Sequence, residues 1–251
     1  MPLSTLDLAF ISAAILGFRH GFDYDHIAAI SDITSMEPSR KTAMRMGFVY
    51  ILGHAVTLGA LGAAVILFQH ALPRQIDHWA ERAVGATLIL LGVYVLGSLV
   101  RSKDDTLPPS RAALVIHGAR WIQWKVQRLF GRGPQQLPKR EQEPYNPVVV
   151  FLIGVIHGLG AETPSQLLIF LLAANLGGVS LGLLGLSVFL AGLIAMNLLM
   201  TASIVGVLGI SANKPRLLQW MIGATAAYSV VVGIIFVAGS ANLLPALGGA
   251  G

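Results

Sequence analysis

The sequence predicts an all-α polytopic membrane protein, and three observations carry that prediction. Hydrophobic residues fill 55% of the 251 positions and charged residues only 12%, whereas soluble domains carry about 25% charge. The apolar stretches recur and are long enough to cross a hydrocarbon core, which takes about 20 helical residues. The basic residues fall into alternate loops, the pattern that orients a multi-span protein. Mean hydropathy is +0.71.

Six spans are expected, near 6–30, 45–69, 81–100, 146–173, 181–209 and 217–242. The loops after the first, third and fifth hold Arg40, Lys41 and Arg45, then nine basic residues between 101 and 140, then Lys214 and Arg216. The opposite side holds Arg74 and Arg82. Positive loops stay cytoplasmic, so both termini are expected outside. The N-terminal segment has no basic stretch before its first apolar run, so no cleaved leader is expected. The net charge of +5 resides mainly in these loops and reports topology rather than nucleic-acid binding. Within the long loop 101–145, residues 111–130 interleave Leu114, Val115, Ile122 and Val126 with Trp121 and Trp124. This reads as an amphipathic helix, either at the bilayer interface or capping the cytoplasmic face. Residues from Pro134 onward read as a linker.

The chain repeats internally. Leu16-Gly-Phe-Arg-His-Gly-Phe22 matches Ile153-Gly-Val-Ile-His-Gly-Leu159 at an offset of 137, and Val84-Gly-Ala-Thr87 matches Ile222-Gly-Ala-Thr225 at 138. Spans one to three would then recur as spans four to six with opposite orientation. That is an inverted 3+3 repeat, an arrangement that places binding sites near the midplane. The expected division is 1–100, 101–145 and 146–251. Both copies carry Gly-x-x-His-Gly, and glycines four apart let helix backbones approach closely. The first and fourth spans are therefore expected to cross, bringing His20 and His157 together.

His20, Asp23, Asp25 and His26 lie inside the first span. Ionisable groups in hydrocarbon are costly, so such a cluster is read as functional. Imidazole and carboxylate together suit a borderline divalent cation, and with no cysteine in the chain a thiolate site is excluded. On one straight helix His20, Asp23 and His26 share a face while Asp25 points about 140° from His20. Either the helix breaks here, or one carboxylate hydrogen-bonds a ligating imidazole instead of the ion. Arg19 is placed to neutralise a carboxylate. His54, His157, Glu162 and Asn197 are further intramembrane candidates, and Pro164 with its neighbouring glycines favours a second broken helix. Met196 and Met200 read as core, and His70, His78 and His117 as loop or interface residues.

The run from Arg19 to Ile27 resembles the signature of the nickel/cobalt transporter family, Arg-His-Ala-x-Asp-Ala-Asp-His-Ile, whose His-x₄-Asp-His core matches His20, Asp25 and His26. Leu52-Gly-His54, the segment from Gly158 to Thr163 and the segment from Ala191 to Asn197 resemble later family motifs in the same order. The departures are Glu162 and Asn197 where the family has Asp, Gln166 where it has Glu, an extra His157, and six spans where typical members have eight. The resemblance implies a divergent, shorter permease for uptake of Ni²⁺ or Co²⁺ across the cytoplasmic membrane, with no cofactor. The metal-ligating set expected is His20, Asp23, Asp25, His26, His54, His157, Glu162 and Asn197. The chain has no Gly-x₄-Gly-Lys-Ser/Thr or His-Glu-x-x-His motif, which speaks against a nucleotide site and a zinc hydrolase. Export, or service as the membrane subunit of a larger transporter, are the competing readings.

Overall fold

The computed structural model describes residues 4–37, 39–70, 74–101, 146–160, 177–211, 214–240 and 244. Among them are seven helices and no strand: α1 (Thr5–His20), α2 (Tyr24–Ser35), α3 (Arg40–Phe68), α4 (Arg74–Arg101), α5 (Pro147–His157), α6 (Val179–Ser211) and α7 (Pro215–Val237). Stretches within four of these, Arg40–Phe68, His78–Gly97, Val179–Ser211 and Pro215–Val237, are long and apolar enough to cross a membrane. Large side chains such as Leu90, Leu199, Ile210 and Trp220 remain exposed on their outer surfaces, as lipid-facing residues do. The 101–145 loop helix, Glu162 and Pro164 lie outside the described residues.

Local sequence explains the helix ends. Ser4 accepts from the Asp7 amide while Asp7 accepts from Ser4, and Ser39 with Thr42 repeats this reciprocal cap at the start of α3. Asn146 caps α5 ahead of Pro147, and Pro215 opens α7. Proline fits the first turn because its missing N–H would have no partner there anyway.

The expected first span is two helices. α1 closes with short bonds, from the Gly21 amide to Gly17 O, Phe22 to Arg19 O and Asp23 to His20 O. Asp23 then takes an extended conformation and α2 begins. The same three bonds recur 137 residues later: Gly158 to Gly154, Leu159 to Ile156 and Gly160 to His157. Both histidines of the repeated motif therefore end a helix at a tight turn. α2 packs against α3, α4, α6 and α7, and nine of its 12 residues are buried.

The glycine faces do not meet each other as expected. α1 packs on α6, and α5 packs on α3. A Cβ at Gly17 would lie 1.9 Å from the Phe189 carbonyl oxygen, and one at Gly192 would lie 2.3 Å from that of Ala14. In the second pair, a Cβ at Gly154 would lie 2.1 Å from the Tyr50 carbonyl oxygen and one at Gly53 would lie 2.2 Å from that of Phe151. Each short helix thus lies backbone to backbone against a long helix from the other half of the chain. α4 and α7 also cross on glycine, where a Cβ on Gly85 would stand 2.6 Å from Gly233 O.

Candidate metal centre

Three imidazoles converge where α1 gives way to α2. His20 is the last residue of α1, His26 lies in the first turn of α2, and His54 lies midway along α3. All three are buried, and one nitrogen from each lies within 4.8 Å of the others. The ring centroids are 4.5 Å apart for His26 and His54, 5.2 Å for His20 and His26, and 5.6 Å for His20 and His54.

The helix break makes this possible. It rotates His20 and His26 relative to each other and separates them from the face a continuous helix would present. Gly21 sits where α6 passes, with a Cβ position 2.9 Å from Leu193 O and from the Met196 side chain. Only a residue without a side chain leaves that path open.

The two carboxylates hold the rings. Asp23 is the residue preceding α2, yet its side chain caps no amide; Oδ2 instead accepts from His20 Nδ1 at 2.8 Å. Asp25 Oδ1 accepts from His26 Nδ1 at 3.0 Å. An ionised carboxylate only accepts, so both rings carry their proton on Nδ1 and present the Nε2 lone pair. The break between α1 and α2 thus supplies one acid for each histidine, the partnership that fixes tautomer and ring direction in histidine metal sites. Arg19, expected to neutralise one acid, makes no ion pair with either; histidine nitrogens occupy that role.

His26 Nε2 and His54 Nε2 stand 3.4 Å apart. Two nitrogens held about 2.05 Å from one ion at a tetrahedral angle are separated by roughly this distance. His54 Nδ1 is buried with no hydrogen-bond partner among the described residues, so the proton of His54 can be held on Nε2 against His26 or moved to Nδ1 when Nε2 is needed as a donor atom.

His157 joins the centre at one remove. It ends α5 and is 1% exposed, with Nδ1 3.9 Å from Asp25 Oδ2. Its nitrogens engage Tyr50 Oη at 3.1 Å and Thr87 Oγ1 at 2.8 Å. Asn197 on α6 is fully buried, and neither amide atom has a partner among the described residues; its neighbour Met196 packs against Gly21. Met196 and Met200 belong to the apolar core. His70 and His78 are exposed. Tyr50 and Thr87 escaped the sequence reading, although Tyr50 precedes His54 by one turn and Thr87 lies inside a repeated motif.

Comparison with known proteins gives two relatives. The chain is 26% identical over 233 residues to urease accessory protein UreH of Bacillus sp. (strain TB-90), covering 92% of this chain and 90% of that protein. It is 28% identical over 183 residues to cobalt transport protein NhlF of Rhodococcus rhodochrous, covering 66% of this chain and 49% of that one. The matched region thus spans about half the length of the cobalt transport protein. Neither name describes an enzyme. No family model matches, and no solved structure matches.

Proposed function

We infer that this divergent relative of the nickel/cobalt transporter family is a membrane permease for uptake of Ni²⁺, Co²⁺ or both. The observation that carries the reading is the convergence of three buried imidazole nitrogens within 4.8 Å at a helix break, two of them oriented by carboxylates. Nitrogen donors of this kind suit borderline divalent ions over Mg²⁺ or Ca²⁺. The relatives support the same cargo, since one is named for cobalt transport and the other for service to urease.

In this reading His20, His26 and His54 replace part of the hydration shell of the entering ion. Asp23 and Asp25 aim the rings and offset the incoming charge. Asn197 and Glu162 are candidates for an oxygen donor. Three neutral imidazoles bind tightly enough to strip water, and the remaining positions, left to water or amide, keep the ion releasable, as transport requires. A dication moving down an inside-negative potential gains about 4.6 kcal/mol per 100 mV, so uptake needs no nucleotide. The termini face outward, the α2–α3 and α6–α7 connections and the 101–145 segment face the cytoplasm, and the two halves of the chain form an inverted repeat in the cytoplasmic membrane.

Uptake of radiolabelled Ni²⁺ and Co²⁺ by cells expressing the chain tests this. Expression raises cell-associated metal, and His20→Ala or His26→Ala abolishes the increase at equal membrane abundance. A fall in cellular metal on expression would assign export instead.

A further inference from the structure

We propose that His157 is a positioning residue rather than a ligand: locked by Thr87 and Tyr50, it stands behind Asp25 and fixes the carboxylate that aims His26. The inference rests on the reading of the His20, His26 and His54 cluster as an ion centre.

Both His157 nitrogens are already committed. Thr87 Oγ1 donates to the Val84 carbonyl at 2.7 Å. With its proton used there, the hydroxyl accepts from His157 Nε2 at 2.8 Å. The ring therefore carries its proton on Nε2, and Nδ1 accepts from Tyr50 Oη at 3.1 Å. Ligation through Nδ1 would take the acceptor from the buried Tyr50 hydroxyl, and ligation through Nε2 would remove the bond to Thr87, each at a cost.

What remains for His157 is position. Its Nδ1 lies 3.9 Å from Asp25 Oδ2, in contact but beyond hydrogen-bond length. The opposite oxygen of that carboxylate holds His26. The following turn closes on the same group, since a Cβ at Gly160 would stand 3.9 Å from Asp25 Oδ2. His157 belongs to α5, which is held backbone to backbone against α3 at Gly154 and Gly53. Tyr50 and His54 are on α3, Thr87 is on α4 and Asp25 is on α2. One imidazole from the second half of the chain is thus hydrogen-bonded to two helices of the first and in contact with a third. It transmits the placement of α5 to the ring that meets the ion.

The test uses the full chain purified in detergent with Co²⁺ as the probe. It reads the dissociation constant and, by X-ray absorption, the number of coordinated imidazoles. In His157→Leu the imidazole count stays at the wild-type value while Kd rises about tenfold, the lower range for removing a group outside the coordination shell. In His157→Gln the amide accepts from Tyr50 and donates to Thr87, and Kd returns to within about threefold of wild type. Thr87→Val, nearly isosteric, raises Kd without changing the count, and carries the test by itself if the leucine variant does not fold. Loss of one coordinated imidazole in either His157 variant would make it a ligand and overturn the proposal. A Kd unchanged in His157→Leu and Thr87→Val would make it a satisfied core histidine and overturn it equally. Failure of the wild-type chain to bind Co²⁺ is a different result and would sink the ion-centre reading itself.

Discussion

Replacing Asp25 by Asn removes a charge and little else. The amide keeps the shape of the carboxylate and can still accept from His26 Nδ1, now 3.0 Å away. A hydrogen bond to a charged partner contributes about 1.5–3 kcal/mol, and a neutral one about 1 kcal/mol. The difference, about 0.5–2 kcal/mol, stands nearly undiminished because Asp25 is 6% exposed. Coordination draws charge from the imidazole and acidifies its N–H, so the lost term falls mainly on the ion-bound state. Binding of Co²⁺ should therefore weaken roughly two- to thirtyfold, at about 1.4 kcal/mol per decade. The matching change Asp23→Asn acts on a shorter contact, 2.8 Å, but that side chain is 21% exposed. Water can substitute there, so its effect should be several times smaller. Isothermal titration of the purified wild-type and variant chains with Co²⁺ reads both numbers. X-ray absorption on the same samples should show an unchanged first shell in each variant. An Asp25→Asn chain that binds like wild type would refute the argument that carboxylates orient the rings. A lost oxygen ligand would refute the assignment of Asp25 to the layer behind the imidazoles.

His54→Ala should reduce uptake as severely as His20→Ala and His26→Ala, because each removes one nitrogen of a three-nitrogen set; uptake above half of wild type in any of them would remove that residue from the centre. Gly17→Val and Gly154→Val should each abolish uptake and lower the unfolding temperature, since a Cβ at those positions meets backbone at 1.9 and 2.1 Å. Gly97→Ala, where no atom of the described residues lies within 4 Å of the added Cβ, should leave both properties unchanged in the same thermal and uptake assays. Adding Ni²⁺ or Co²⁺ at 100 times Kd should stabilise the chain by about 2.7 kcal/mol if only the folded state binds. Thermal unfolding followed by tryptophan fluorescence, with chelator as the reversal, would expose a chain that does not bind. Ser4→Ala should cost about 1 kcal/mol of local helix stability and leave Co²⁺ affinity intact, because the cap of α1 lies at the far end from His20. A changed affinity would mean that the start of α1 is coupled to the centre.

Much of the site was legible in the order of residues. Donor chemistry depends on residue type, and the crowding of His20, Asp23, Asp25 and His26 into seven positions of an apolar segment fixed where an ion could be held. The conflict between Asp25 and the face shared by its neighbours required a choice between a broken helix and an acid standing behind a ligand. The chain does break, at Gly21 to Asp23, and each acid hydrogen-bonds one ring. The repeated Gly-x-x-His-Gly marked both helices as sites of close approach, but the expected crossing of the two with each other is replaced by a separate seating of each on a long helix. The break at His157 follows from the same motif, as the recurring trio of turn bonds demonstrates.

Helix partners were beyond the sequence, and so was the choice among histidines. Helical periodicity states which side of its own helix a residue occupies. It does not say which of several uniformly apolar helices lies opposite, because every such pairing buries similar surface. Only the packed structure sets Gly17 on α6 and Gly154 on α3, and those seatings decide the rest. With α5 against α3, Tyr50 and Thr87 reach His157 and hold it, while His54 turns toward His20 and His26. His20 and His157, which share the Gly-x-x-His-Gly pattern, therefore meet different neighbours, because hydrogen-bond partners more than 60 residues away are a property of the assembled bundle.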